Sequence, residues 1–240
     1  MIHYHGCPIT PDAAAVHILT GRHALVSFAY PQQIGIVADV CQSFIQDNGA
    51  YTFWKQKKAV NWPDYYEFVD TWRHHPGHDW ALIPDVIDGT EDENDALIAS
   101  WPFEEGTGVP VWHLGESLER LTRLVSRFRR VALGSSALYS QVGTKLWHAR
   151  MAEVMGVVCL PDGRCTTKLH GLRMLNPNVF MRYPLSSADS SNVGRNIGID
   201  THWKTGRYLP KSKAMRGMLI ASRIEHHQSA PLFIEDDSCA

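Results

Sequence analysis

The sequence of 240 residues has no apolar run that approaches the roughly 18 residues a membrane-spanning helix needs. Its first residues show no basic stretch followed by an apolar one, so we expect no secretory signal. It also has no low-complexity tract, internal repeat or linker that would separate two domains. These absences argue against a membrane protein and predict a single domain over residues 1–240, in the cytoplasm.

Neither sign of charge dominates, because 23 Lys and Arg stand against 25 Asp and Glu. A nucleic-acid partner would therefore have to be recognised by local basic patches. The five cysteines are odd in number and scattered, which predicts free thiols in a reducing compartment. Cys159 and Cys165 flank an Asp-Gly turn and could close a small loop, but we expect them to be reduced. With 44% hydrophobic and 20% charged residues, the composition excludes a disordered chain, a coiled coil and a collagen-like fibre.

The main pattern that is present is an alternation of short apolar runs with helical stretches. Eight runs are typical of strands: residues 2–5, 24–29, 43–47, 80–86, 109–114, 130–134, 168–175 and 181–187. Helical periodicity or capping residues predict helices over 11–19, 65–72, 90–101, 117–128, 142–155 and 212–227. Eight strand–helix units in one chain of this length predict a (β/α)8 TIM barrel, with an open doubly wound sheet as the alternative.

In such a barrel the active site lies where the strands end. The predicted strands end near Asp47-Asn48, Asp85, His113, Gly134-Ser135-Ser136, His170-Gly171 and Ser186–Ser190, which includes Asp189. Three carboxylates and two histidines would therefore share one rim. Each also has an ordinary structural interpretation: Asp-Asn-Gly is a common turn, Pro-Asp often leaves a strand, and Asp189 suits a helix N-cap.

Paired carboxylates can catalyse displacement at a sugar carbon, one as nucleophile and the other as acid and base. A third carboxylate can accept hydrogen bonds from the edge of a purine. This chemistry fits glycosidases and base-exchanging enzymes equally well, and the spacing alone does not choose between them.

Several segments resemble the queuine and archaeosine tRNA-guanine transglycosylases. Residues 44–51 (FIQDNGAY) resemble the Asp-Ser-Gly-Gly-Phe segment of that family, and residues 81–86 and 131–135 resemble two of its barrel strands. Residues 21–24, 110–114, 168–174 and 186–190 are more similar to the shorter phage and bacterial branch, which inserts 7-deazaguanines into DNA. The resemblance runs from about residue 3 to about residue 225.

The resemblance implies a role for each matching position. Asp189 would be the nucleophile that attacks C1′ and expels guanine, and Asp47 would be the general acid and base. Asp85 would bind the guanine-like edge of the departing and incoming bases. The remaining implied base-binding residues are Asn48, His113, Gly134, Ser135 and His170. For His170 the alternative is a hydrogen-bonded histidine of the core.

The sequence departs from the tRNA enzymes in three respects. It has no Cys-x-Cys-x-x-Cys run, so it lacks the ligands of their structural zinc, and we predict no metal and no cofactor. The glycine after Asn48 is kept, but Ala50 replaces the next one. The chain is also much shorter than those enzymes.

A basic segment near the end of the chain is the candidate nucleic-acid contact. Residues 201–224 contain six basic residues and no acidic one. The predicted contacts are Lys204, Arg207, Lys211, Lys213 and Arg216. Lys55, Lys57 and Lys58 could lie on the same rim. A solvated charged loop and helix face would explain the same pattern.

The sequence therefore predicts a DNA-guanine transglycosylase whose partners are DNA and a 7-deazaguanine base. A compact tRNA-guanine transglycosylase is one alternative, although the missing zinc motif argues against it. A barrel nucleosidase or glycosidase that uses water is another. The last is a barrel that binds nucleic acid without catalysis, which would not need a nucleophile.

Overall fold

Nine parallel strands and the helices between them form a nearly closed barrel in the computed structural model, which describes residues 1–198 and 210–234. The strands are β1 Ile2–Gly6, β2 His23–Ser27, β3 Ser43–Asp47, β4 His78–Leu82, β5 Gly108–Val109, β6 Val111–His113, β7 Arg130–Gly134, β8 Lys168–Gly171 and β9 Ser187–Ser190. They pair in the order β5-β4-β3-β2-β1-β9-β8-β7-β6. The predicted (β/α)8-type barrel is confirmed, and the open doubly wound sheet was the wrong alternative.

The fifth predicted strand is divided at Pro110 into β5 and β6. The half before the proline pairs with β4, and the half after it pairs with β7. Proline has no amide hydrogen to donate to a neighbouring strand, so the ladder changes partner at this residue. The Pro110 carbonyl still accepts from the amide of Ala132, 2.9 Å away. Counted together as one interrupted strand, β5 and β6 bring the number of strands around the barrel to eight.

The helices of the described ranges lie outside the strands. They are α1 Asp12–Leu19, α2 Ile34–Val40, α3 Ala50–Gln56, α4 Trp62–Trp72, α5 Glu91–Ala99, α6 Leu118–Arg127, α7 Lys145–Val158, α8 Pro177–Phe180, α9 Asn192–Asn196 and α10 Lys213–Glu225. The six predicted helices are present with ends shifted by up to a few residues, whereas α2, α3, α8 and α9 were not predicted. None of the helices in the described part of the chain is long and apolar enough to cross a membrane.

The last two predicted strands are corrected by the structure. The strand predicted over 168–175 ends at Gly171, and the one predicted over 181–187 is instead β9, which begins at Ser187. The apolar side chains of Val179, Phe180 and Leu185 are buried, but they belong to α8 and the following loop. They pack against the outer face of the barrel strands. Apolar residues can be buried there in a helix or a loop, so the apolar run did not indicate a strand.

Alternate residues of each strand point into the barrel and form its interior. The middle of the interior is largely apolar and includes Tyr4, Leu25, Ile45, Trp80 and Ala132. The helices pack over the opposite faces of the strands and bury the larger clusters there. Polar inward positions lie above the apolar layer, at the carboxyl ends of the strands, where the predicted site residues occur.

The cysteines of the described ranges are free thiols: Cys7, Cys41, Cys159 and Cys165. Cys159 and Cys165 face each other across an isolated antiparallel bridge, with their Sγ atoms 3.4 Å apart. Cys239 lies outside the described residues.

Candidate active site

A cavity of about 370 Å³ opens at the carboxyl ends of the strands. This volume lies within the range of small-molecule sites, which span about 300–1,000 Å³. Seven of the predicted catalytic and base-binding residues line it: Asp47, Asn48, Asp85, His113, Gly134, Ser135 and Asp189. They come from strands on both sides of the barrel, so the closure of the sheet brings them together.

Asp189 occupies an inward position of β9, next to the cavity. Its Oδ1 atom accepts a hydrogen bond from the backbone amide of Arg173 at 3.1 Å. The same oxygen lies 3.3 Å from Nε2 of His170. Within the described ranges no group donates to Oδ2. Among the residues that the structure describes, the carboxylate is therefore held by Oδ1 alone, and Oδ2 faces no donor.

Arg173 is a cavity residue to which the sequence analysis gave no role. Its φ angle of 60° is in the left-handed region, a strained conformation for a residue with a side chain. This conformation directs its amide to Asp189. Its guanidinium lies 4.3 Å from the centre of the Tyr51 ring and donates to the Ser135 carbonyl at 2.9 Å. One residue thus connects the loop after β8 to Asp189 and to the opposite rim.

Asp47 ends β3 and lies deep among protein atoms, although part of it faces the cavity. Burial raises the pKa of Asp47 to about 6, and the negative charges of Asp189 and Asp85 act in the same direction. The hydroxyl of Ser27 and the amide of Gly49 lower its pKa and offset part of this effect. A carboxyl group with this pKa exists in both protonation states near neutral pH, as a proton-transfer group must.

Asp85 follows β4 and is buried. The side-chain amide of Asn48 donates to its Oδ1 at 2.7 Å, and Nε2 of His113 lies 2.9 Å from its Oδ2. Burial lowers the pKa of His113, but the hydrogen bond and charge of Asp85 more than offset this, so the net shift is upward. The sequence placed these three residues at one rim, and the structure shows that they form one hydrogen-bonded group.

Gly134 and Ser135 form the wall beside this group. A Cβ atom on Gly134 would lie 2.9 Å from Nδ1 of His113, so a side chain here would crowd the imidazole that contacts Asp85. The indole nitrogen of Trp147 donates to the Ser135 hydroxyl at 3.0 Å. The wall is therefore rigidly supported from the helical layer.

His170 does not line the cavity, which corrects its predicted contact with the base. It points into the barrel one layer below Asp189, because it pairs with Ser187, two residues earlier in β9. Its Nδ1 lies 2.9 Å from the hydroxyl of Ser187. The side chain can therefore act on the site only through Asp189.

The predicted nucleic-acid contacts have different outcomes. Lys204 and Arg207 lie outside the described residues, whereas Lys211 and Lys213 are exposed at the start of α10. Arg216 is buried, and its guanidinium donates to the carbonyls of Ile197, Pro210 and Lys211. We therefore no longer place Arg216 among the phosphate contacts, because those backbone groups occupy it.

Several residues of the cavity had no role in the sequence analysis, among them Ser27, Tyr51, Arg173 and Arg195. Both arginines are exposed. Neither forms an ion pair with any described residue. Positive charge that no described carboxylate neutralises, at the mouth of a cavity, is typical of a site for an anionic ligand. Arg173 and Tyr51 belong to segments 168–174 and 44–51, whose family resemblance was a usable signal. Ser27 and Arg195 had no such signal, and only the three-dimensional structure places them at the cavity.

Groups of three or more His, Cys, Asp or Glu side chains that could hold a metal ion do not occur within residues 1–198 and 210–234. Comparison with protein-family models, with the curated proteins and with the solved structures finds no match to this chain. The geometry of the site therefore carries the functional argument.

Proposed function

We propose that this chain is a DNA-guanine transglycosylase, which exchanges guanine in DNA for a 7-deazaguanine base through a covalent aspartyl intermediate. One observation carries the proposal: three carboxylates around one cavity have three different environments. Asp189 has one anchored and one open oxygen, Asp47 has a pKa of about 6, and Asp85 is buried between an amide and an imidazole. These environments suit a nucleophile, a proton carrier and a base-binding group, in that order.

In the first half-reaction the open oxygen of Asp189 forms a bond to C1′ while the bond from C1′ to the base nitrogen breaks. The electron pair of that bond goes to the purine, and Asp47 donates a proton to its five-membered ring. Guanine leaves as the neutral base, and an aspartyl ester joins the chain to the sugar.

In the second half-reaction the ring nitrogen of the incoming base attacks C1′, and Asp47 takes the proton that this nitrogen loses. The ester bond breaks, and Asp189 recovers its charge. The two half-reactions balance, so no oxidant, reductant or net proton is consumed. A pKa of about 6 at Asp47 suits both directions, because neither form of the group is rare at neutral pH.

Asp85 supports the choice of guanine and its analogues. Guanine and 7-deazaguanine present a ring N–H and an amino group side by side, and a carboxylate accepts from two such donors. Each oxygen of Asp85 already accepts one hydrogen bond and keeps a second lone pair. Asn48 and His113 would hold the carboxylate in place while it binds either base.

The rim supports a polymeric anion as the substrate. Arg173 and Arg195 flank the cavity, and Lys55, Lys57 and Lys58 are exposed in and after α3. Trp54 is exposed on the same helix and could stack on a neighbouring base. The reacting nucleotide would have to leave a duplex stack, or already be single-stranded, to enter a cavity of this size.

The test is a base-exchange assay with the pure chain, DNA or tRNA, and 7-cyano-7-deazaguanine, followed by digestion to nucleosides and mass spectrometry. We expect the modified deoxynucleoside, and Asp189→Asn should abolish it while DNA binding persists. A modified ribonucleoside would indicate a tRNA-guanine transglycosylase. Free guanine without exchange would indicate a hydrolase. DNA binding with neither product would leave a binding barrel. Exchange by Asp189→Asn would refute the nucleophile.

A further inference from the structure

A line of hydrogen-bonding side chains lies inside the barrel, directly beneath Asp189. The Arg130 guanidinium on β7 donates to the hydroxyl of Ser187 at 3.0 Å. The Ser187 hydroxyl lies 2.9 Å from Nδ1 of His170, and Nε2 of the same ring lies 3.3 Å from Oδ1 of Asp189. Ser187 and His170 are completely buried. The line joins three adjacent strands, and the proposed mechanism uses only its last member.

The identity of the groups at its two ends determines where the protons lie. A guanidinium can only donate, so the Ser187 oxygen accepts from Arg130 and its own hydrogen needs an acceptor in a dry interior. Nδ1 of His170 is within reach to accept it. At the other end an ionised carboxylate can only accept, so Nε2 of His170 must carry the hydrogen. Both ends require the same neutral tautomer.

The surroundings of the ring also favour its neutral form. Burial lowers the pKa of His170; Asp189 acts in the opposite direction, but the net shift is downward. Nε2 is buried and has no aligned hydrogen-bond partner among the described residues. The nearest acceptor is Oδ1 of Asp189 at 3.3 Å, a long and poorly aligned contact, and a buried N–H needs an acceptor. Here the N–H faces the anchored oxygen of the proposed nucleophile.

We propose that Arg130 and Ser187 hold His170 as the Nε2–H tautomer, and that this N–H and the Arg173 amide fix Oδ1 of Asp189 so that Oδ2 faces the sugar. His170, Ser187 and Arg130 are then positioning residues, since none of them lines the cavity. The positioning role rests on the proposed function, whereas the tautomer does not.

The tautomer is measured first, by ¹⁵N NMR of the histidine-labelled full chain, with the His170 signals assigned by comparison with His170→Phe. We expect a protonated Nε2 and an unprotonated Nδ1 in the wild type. In Ser187→Ala this preference should weaken, because Nδ1 loses its donor. A protonated Nδ1 in the wild type would overturn the proposal whether or not the chain has activity.

The kinetic test compares Ser187→Ala with Ser43→Ala. Ser43 makes a similar contact, 2.8 Å from Nδ1 of His23, at the other end of the barrel. Ser187→Ala should lower kcat for base exchange by about 10- to 100-fold, as loss of a supporting hydrogen bond commonly does. KM for DNA should stay the same, and Ser43→Ala should leave kcat unchanged.

A double variant distinguishes positioning from general damage. If Ser187 acts only through His170, Ser187→Ala combined with His170→Phe should be no slower than His170→Phe alone. Multiplied losses, or equal effects of Ser187→Ala and Ser43→Ala on kcat, would refute the positioning role. Thermal unfolding of each variant identifies losses due to misfolding. A wild type that has the expected tautomer but exchanges no base would refute the proposed function and retain the hydrogen-bond line.

Discussion

At the scale of single residues, Asp47 connects stability to the proposed chemistry. Its pKa rises from the ordinary value of 3.8 to about 6 in the folded chain. Between pH 4 and pH 6 the folded chain therefore keeps a proton that the unfolded chain has released. The free energy of unfolding falls as the pH rises through this window, and the loss persists above it.

Asp47→Asn should remove that loss, because an amide does not ionise. We expect the variant to be more stable than the wild type by up to about 3 kcal/mol at pH 8 and to show no such gain at pH 4. Thermal or denaturant unfolding at the two pH values measures the difference. The same variant should lose base exchange. A stability difference that does not change with pH would contradict the raised pKa of Asp47.

Asp85 is expected to affect the base more than the polymer. Asp85→Ala removes the acceptor for the base and leaves Asn48 and His113 without their common partner. Affinity for free 7-cyano-7-deazaguanine should fall by about 10- to 100-fold, the effect of losing a charged hydrogen-bond partner. DNA affinity should change much less. Calorimetry and DNA titration measure the two affinities.

The control for this variant is Asp88→Ala, an exposed carboxylate of the same loop that does not line the cavity. It should change neither affinity. If Asp85→Ala reduced DNA and base affinity equally, its role in binding the base would be wrong.

The sequence could predict Asp47 and Asp85 because each ends or follows a strand that has a recognisable pattern. Asp189 was found from the resemblance of residues 186–190, since its own strand has no such pattern. The sequence could not predict the role of His170, because that role depends on the pairing of β8 with β9. His170 pairs with Ser187, two residues before Asp189, and therefore lies one layer below it. The contribution of Arg173 depends on a left-handed backbone angle for which its residue type gives no signal. Arg216 was assigned by charge alone, and charge does not reveal that backbone carbonyls surround it.

At the scale of elements, the turn from β3 into α3 positions Asp47. Gly49 has a φ of 77°, and a Cβ there would lie 2.9 Å from Cε2 of Phe53 and 3.0 Å from the amide nitrogen of Ala29. Gly49→Ala should therefore lower the free energy of unfolding by about 1–3 kcal/mol and also lower exchange, because the turn must move. Chemical denaturation and the exchange assay measure the two losses.

Gly21→Ala separates backbone strain from crowding. Gly21 has a similar φ of 71°, but no atom lies within 4 Å of an added Cβ, and it precedes β2 at the opposite end of the barrel. Gly21→Ala should lower the free energy of unfolding by less than Gly49→Ala does, and it should leave base exchange unchanged. Equal stability losses, or an equal loss of exchange, would show that crowding at Gly49 is unimportant.

Elements with an apolar face were predictable, and β9 was not. Its four residues are Ser, Ala, Asp and Ser, because its inward positions carry Ser187 and Asp189 in place of core side chains. The neighbouring run with Val179, Phe180 and Leu185 has the stronger apolar signal but packs outside the wall. The strand that carries the proposed nucleophile therefore lacks the apolar alternation by which a strand is recognised in a sequence.

At the scale of the whole molecule, charge is distributed unevenly although the net charge is only −2. Lys211 and Lys213 are exposed at the start of α10, which packs against α9 after the last strand. If they contact phosphates, Lys211→Gln with Lys213→Gln should reduce the slope of log affinity against log salt by about 1–2. DNA titrations over a range of salt concentrations measure it.

Arg129→Gln with Lys168→Gln is the matched control, because these exposed cations lie at the amino ends of β7 and β8. This pair should leave the slope unchanged. A slope that responds equally to both pairs would mean that the carboxyl rim is not the DNA-binding face.

The interruption at Pro110 also divides the chain into two segments that carry different residues of the candidate site. The segment before it holds Asp47 and Asp85, and the segment after it holds His113, Asp189 and the residues that steady Asp189. A polypeptide cut at this proline would yield one fragment without the proposed nucleophile and another without the proposed proton carrier. Complementation of the two fragments would then be visible as recovered turnover, which makes the seam of the barrel a natural place for a split-protein reporter.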